Sequence, residues 1–183
     1  MSILHPLLGF SCSHIANMMY RFCQRHLPFI PALHYEDYEN ADYLIDKELP
    51  FVYCICYVTA RYLPGGKDIR ELLLPEISQY PRRIFAATSE TQLDDWINLK
   101  ALIVLYAYSD LTPPSQTSKS VGDEFILYWP LKYAVEVLAL RLTLHRSIQD
   151  LRSDLQAGSP LQPESIVSYR KYTVWLWLFN MAH

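Results

Sequence analysis

The sequence predicts an all-α protein, a multi-helix array of antiparallel helices that forms part of a larger helical domain. Three observations carry this. Apolar residues recur at steps of three and four over most of the chain. Proline and glycine fall between these stretches rather than within runs of alternating residues. The composition, 51% hydrophobic and 19% charged over 183 residues, suits a packed core and not a disordered tail.

The first helix is expected over 13–26, where Ile15, Met18, Met19, Phe22 and His26 share a face, Ser13 caps the start and Pro28 and Pro31 stop it. The acidic stretch YEDYENADYLIDK reads as a short helix or a connector. ELPFVYCICYVTARYLPGG opens with Pro50, suited to a first helical turn, and ends at Pro64-Gly65-Gly66. Val52, Ile55, Val58 and Thr59 make a strand the rival, but the Ala-Arg ending favours a helix, apolar nearly all round and therefore central. Across 67–88, Pro75 and Pro81 predict short helices or a kinked one.

Ser89 and Gln92 have the spacing of a capping box before a long helix burying Leu93, Trp96, Ile97, Ala101, Val104 and Tyr108. Asp94 and Asp95 fall in its first turns, where the helix dipole favours negative charge. LTPPSQTSKSVGD is the clearest loop. A second long helix is expected over 124–145, with Leu131, Val135, Leu138 and Leu142 as its stripe. The stretch from Ser147 to Pro163 reads as polar loop, and Pro163-Glu164 open a last helix running through Trp175 and Trp177 to His183. That helix has no glycine or polar tail after it, so the chain is expected to be truncated inside a larger domain.

The chemistry-bearing residues are scattered. The six histidines show no paired spacing, Gly65-Gly66 is followed by Lys67-Asp68 rather than by a phosphate-loop Lys-Ser, and no Gly-x-Ser-x-Gly elbow occurs. Cys12, Cys23, Cys54 and Cys56 lack zinc-ligand spacing and read as small hydrophobes. No catalytic residue, cofactor or metal ligand is therefore expected. A net charge of −3 with no basic stripe predicts no direct nucleic-acid contact. The apolar VWLWLF is too short for the about 20 residues of a membrane span, and the N-terminus lacks the basic start of a signal peptide, so the chain reads as soluble and intracellular. With 14 Tyr, 7 Phe and 4 Trp, apolar contact surface is abundant. Tyr106, Tyr108, Trp129, Tyr133, Trp175 and Trp177 are candidate walls of a ligand pocket between helices, with ordinary core packing as the rival reading.

The order of four segments, VTARYL (58–63), LKALIVLYAYSDL (99–111), FILYWPLKYAVEVLALRLTLHRS (125–147) and YRKYTVWLWLFNMAH (169–183), resembles the N-terminal portion of the middle homology, or regulatory, domain of fungal zinc-cluster transcription factors. The resemblance runs from about residue 15 to the end, and no single motif decides it. Its signature residues here are Arg61, His145, Arg146 and Arg170, with a structural role: His145 and Arg146 close a helix and suit its negative end. Thr143 stands where that family has glycine before Leu-His-Arg, and the six-cysteine DNA-binding cluster is missing. The resemblance implies a regulatory region of an RNA polymerase II transcription factor, in the nucleus, without enzymatic activity. It further implies a small-molecule inducer, protein partners or a dimer formed through the full-length protein, and zinc only in a separate DNA-binding module. The alternative is a stand-alone helical protein–protein interaction module.

Overall fold

The computed structural model describes residues 11–34, 41–86, 92–108, 128–156 and 163–181. Among them lie eight α-helices and no strands: α1 (Cys12–Arg25), α2 (Ala41–Lys47), α3 (Leu49–Ala60), α4 (Gly66–Ala86), α5 (Gln92–Tyr108), α6 (Tyr128–Arg141), α7 (Ser147–Gln156) and α8 (Pro163–Met181). Single 3-10 turns follow α1 (Leu27–Phe29) and α6 (Leu144–Arg146). The fold is all-α, as the periodicity predicts.

Helix α3 is the centre of the array, packing against α1, α2, α4 and α5. Every residue from Phe51 to Ala60 except Tyr57 is buried. That burial resolves the rivalry with a strand. Each fully buried Phe, Ile or Val contributes about 1.5–3 kcal/mol, which outweighs the few tenths that β-branching costs a helix. At its end Gly65 takes a left-handed φ of 71°. A Cβ on Gly66 would run into the carbonyl of Ala60, so only glycine lets α4 start so close to the end of α3.

The other helices follow the predicted faces with differences at their ends. In α1, Ile15, Met18, Met19, Phe22 and His26 are all buried. The cap is Ser11 rather than Ser13: Ser11 is extended, and its Oγ accepts from the His14 N–H at 3.3 Å. Ser13 instead sits inside the first turn, its hydroxyl 2.8 Å from that of Ser11. Pro75 and Pro81 do not divide α4, which runs on as one helix. Leu73, Ile77 and Ile84 share its buried face, and this burial offsets the about 3 kcal/mol that each interior proline costs.

In α5 the residues from Leu99 to Tyr106 are buried on all sides, more than a single stripe. Ala101 and Val104 belong to this set, whereas Trp96, Ile97 and Tyr108 are half-buried. Ser89 and the side chains of Leu93 and Asp94 lie outside the described residues. Asp95 does more than face the helix dipole. It is buried against α6, its Oδ1 3.6 Å from Nη1 of Arg141. Leu131, Val135 and Leu138 of α6, and Leu142 just after it, are buried as predicted.

Helix α6 ends earlier than residue 145, because Thr143 adopts a left-handed φ of 54° and breaks the helical path. The stretch after it is not a loop. Residues 147–156 form α7, started by a buried Ser147 whose Oγ donates to the Leu144 carbonyl at 2.6 Å. The sequence carried the signal, Ser147-Ile-Gln-Asp150, which puts an acidic side chain in the first turn. Helix α8 opens at Pro163, as predicted, and packs against α7 and the Leu144–Arg146 turn.

Candidate ligand-binding clefts

Four of the six aromatic positions singled out in the sequence line two clefts among the described residues. Residues two apart on a helix point about 200° from each other, and both Tyr106/Tyr108 and Trp175/Trp177 are such pairs. The structure accordingly divides them between two clefts. Tyr106 and Trp175 line one of about 260 Å³, completed by Lys132, Val135, Glu136, Ala139, Leu140, Leu178 and Phe179. Tyr108 and Trp177 line another of about 340 Å³. Tyr133 is exposed on α6, outside both linings, and the side chain of Trp129 lies outside the described residues. Tyr106 joins the two sides: its ring meets Trp177 edge-on with centroids 6.2 Å apart, and its hydroxyl donates to the Met181 carbonyl at 3.3 Å.

The first cleft is a largely apolar slot between α5, α6 and α8. Its polar rim is the i,i+4 pair Lys132–Glu136, 3.9 Å apart on α6. Beside it, Leu140, Leu176 and Phe179 leave apolar surface exposed.

The second cleft is built where the end of α1 meets the ends of α3, α5 and α8. Its lining is Arg25, His26, Phe29, Tyr62, Ala107, Tyr108, Trp177 and Met181. His26 is held by its backbone: its N–H donates to the Phe22 carbonyl at 2.8 Å, and its carbonyl accepts from the Tyr108 hydroxyl at 2.8 Å. The imidazole packs against the rings of Tyr62 and Tyr108, each 4.8 Å away, and of Phe22 at 5.6 Å. Burial pushes its pKa down, and the charge of Arg25 pushes it down further. The ring is therefore neutral at pH 7, offering one donor and one acceptor. Burial pushes the Tyr108 phenol up to about 12, aided by Tyr62, so it stays a hydrogen-bond donor. In the sequence His26 falls on the apolar face of the first helix, and no motif marks Arg25. Nothing local in the sequence says that the last turn of α1 opens onto Trp177.

The residues of the Leu-His-Arg turn and its companions fall close to these clefts. Arg61 ends α3, exposed, with Nη1 3.5 Å from the carbonyl of Tyr108. His145 and Arg146 are both exposed, and the ring of His145 meets that of Trp175 edge-on at 6.3 Å. Neither basic side chain bonds the last carbonyls of α6 among the described residues. Backbone closes that end: the Leu142 N–H donates to Leu138 and the Thr143 N–H to Leu140, each at 2.9 Å. Arg170 is half-buried on α8, and its carbonyl accepts from the Thr173 hydroxyl at 2.9 Å.

Burial pushes the thiol of Cys54 well above its usual range, that of Cys56 up to about 12 and that of half-buried Cys23 up to about 11. All three stay protonated, the wrong state for a nucleophile or a metal ligand. The side chain of Cys12 lies outside the described residues. Among the described residues no group of three or more His, Cys, Asp or Glu could hold a metal ion, and no helix is long and apolar enough to cross a membrane. Compared with protein-family models, with curated proteins and with solved structures, the chain matches none.

Proposed function

We propose that this chain is a regulatory region of a fungal RNA polymerase II transcription factor, acting in the nucleus through helix packing, with DNA contacted by a separate zinc-cluster module. The observation that carries this reading is Thr143. The resemblance expects glycine at this position, and it is the one described non-glycine residue with positive φ. A glycine belongs there for a conformational reason, since left-handed backbone suits only glycine without cost. The turn that follows touches α8 through His145 and Trp175, and Trp175 also walls the cleft between α5, α6 and α8. An occupant that prefers one setting of α8 shifts the population toward it, which is the physical content of regulation here.

The test is a reporter. The chain is placed between a heterologous zinc-cluster DNA-binding module and an activation domain in a fungal host. The intact chain is expected to change reporter output at least about threefold against a linker of equal length, and Leu144→Asp, which puts a charge into a fully buried site, to abolish the change. Equal output from linker, intact chain and variant would remove the regulatory reading.

A second reading, a helical interaction module without a small ligand, is favoured by the apolar side chains exposed around the first cleft, Tyr133 and Leu140 on α6 and Leu176 and Phe179 on α8. A protein partner would cover them, whereas a small ligand in the cleft would leave most of them in water.

A further inference from the structure

We propose that the cleft at the end of α1 binds a flat aromatic carboxylate, one or two rings in size, with its ring system between Tyr62, Tyr108 and Trp177 and its anionic end toward Arg25. This names a ligand class for the second cleft and rests on the regulatory reading only for the consequence of binding, not for binding itself.

Three features of the cleft point the same way. Its walls are aromatic: Phe29, Tyr62, Tyr108 and Trp177 line it together with the His26 ring. Phe29 and Tyr62 stand at the lip with 75% and 49% of their surface in water, so a flat apolar ligand would cover surface that is now exposed. A volume of about 340 Å³ lies at the small end of ligand sites and suits one or two fused rings.

The second feature is a polar group without a partner. His26 is only 7% exposed, it lines the cleft, and no described side chain hydrogen-bonds its imidazole. The neutral imidazole offers one donor and one acceptor to the cleft, and a ligand that pairs with either gains a hydrogen bond there. The hydroxyl proton of Tyr108, beside it, is already committed to the His26 carbonyl.

The third feature decides the sign of the ligand's charge. An aromatic cage by itself favours a cation. Here Arg25 lines the cleft, and among the described residues no carboxylate does and no acidic side chain pairs with the guanidinium. A ligand cation would meet a fixed positive charge, whereas a carboxylate gains a charge-assisted contact with a planar donor. An aromatic anion satisfies the walls, the imidazole and the guanidinium together.

The experiment is calorimetric titration of the purified chain with 2-naphthoate and with its neutral amide, with tryptophan fluorescence as a second reading because Trp177 forms one wall. The carboxylate is expected to bind saturably below about 1 mM, as its few heavy atoms allow, and more tightly than the amide. Arg25→Gln, at an exposed position that leaves the fold intact, is expected to weaken the carboxylate by about fivefold or more while leaving the amide within about twofold. Ala107→Phe, which pushes a ring into the cleft, is expected to abolish both, provided its thermal melt matches wild type; if it unfolds, Arg25→Gln decides alone. No saturable binding, amide bound as tightly as carboxylate, or carboxylate affinity untouched by Arg25→Gln would each overturn the assignment. Binding with the expected variant pattern but no effect of 2-naphthoate on the reporter would sink the ligand's regulatory role and leave the site standing.

Discussion

Glu48 and Lys100 are charged residues placed where charges are expensive. Their side chains are 9% and 8% exposed, the Nζ–Oε2 distance is 2.8 Å, and the ammonium also lies 5.0 Å from the centroid of the Phe51 ring. Glu48 stands at the N-cap of α3 yet gives no side-chain capping bond there, its carboxylate turning to α5 instead. Desolvating two ions costs several kcal/mol each, which their attraction repays only while both are present. Lys100→Met is therefore expected to destabilise the fold by about 3–5 kcal/mol, since it strands a buried carboxylate. Glu48→Leu with Lys100→Met is expected to recover most of that loss. Urea unfolding of the wild type, both single variants and the double variant closes the cycle. A double variant no more stable than Lys100→Met would show that the pair's geometry, and not the stranded charge, sets the cost. This pair was invisible in the sequence. The partners are 52 positions apart, and each alone is an ordinary surface-type residue.

At the scale of single elements, the connection from α6 to α7 is where sequence and structure differ most. A left-handed non-glycine residue costs roughly 1–2 kcal/mol, and Thr143 accepts that cost at φ 54°. Its hydroxyl donates to the neighbouring Leu142 carbonyl at 2.8 Å, a local bond that water can replace. Thr143→Gly removes the strain but frees the unfolded chain, which gives back about 0.5–1 kcal/mol. A net gain of about 0.5–1 kcal/mol is expected, read as a higher urea midpoint at unchanged slope; a lower midpoint would refute the strain argument. The helix faces were legible because burial follows the period of 3.6 residues. All four stripe residues of α6 and the full face of α1 are buried as the spacing requires. The ends were less legible, because they depend on one backbone angle or one hydroxyl. Ser11 rather than Ser13 caps α1, and Thr143 rather than His145 stops α6. Helix α7 was missed although Ile148, Leu151 and Leu155 recur at steps of three and four, because the run is short and polar residues outnumber apolar ones.

For the whole molecule, burial is unevenly shared, and the candidate clefts lie on the less buried side. Helices α3 and α5 hold the long buried runs, with Phe51, Ile55, Leu99, Leu102 and Ile103 among the fully buried side chains. Helix α8 buries Val174, Trp177 and Leu178 but exposes Val167, Tyr169, Leu176 and Phe179. Its second half is apolar on all sides yet only partly covered, and its most extensive packing is against α7 and the Leu144–Arg146 turn. That is why listing aromatic residues in sequence order could suggest a pocket but not its shape: the two clefts exist because α8 presents Trp175 to one side of α5 and Trp177 to the other. Local opening free energy tracks buried apolar contact, so α7 and α8 should open below the global unfolding limit while α3 and α5 should not. Native-state hydrogen exchange is expected to show amides of 147–156 and 163–181 exchanging at least about tenfold faster than those of the buried runs in α3 and α5, a gap of about 1.4 kcal/mol. A ligand held between Tyr108 and Trp177 would bind only the state with α8 docked, and so should slow exchange in α8 selectively. Uniform exchange across all the helices would mean that α8 is as firmly set as the core, and a mechanism that works by shifting it would then have no element to shift.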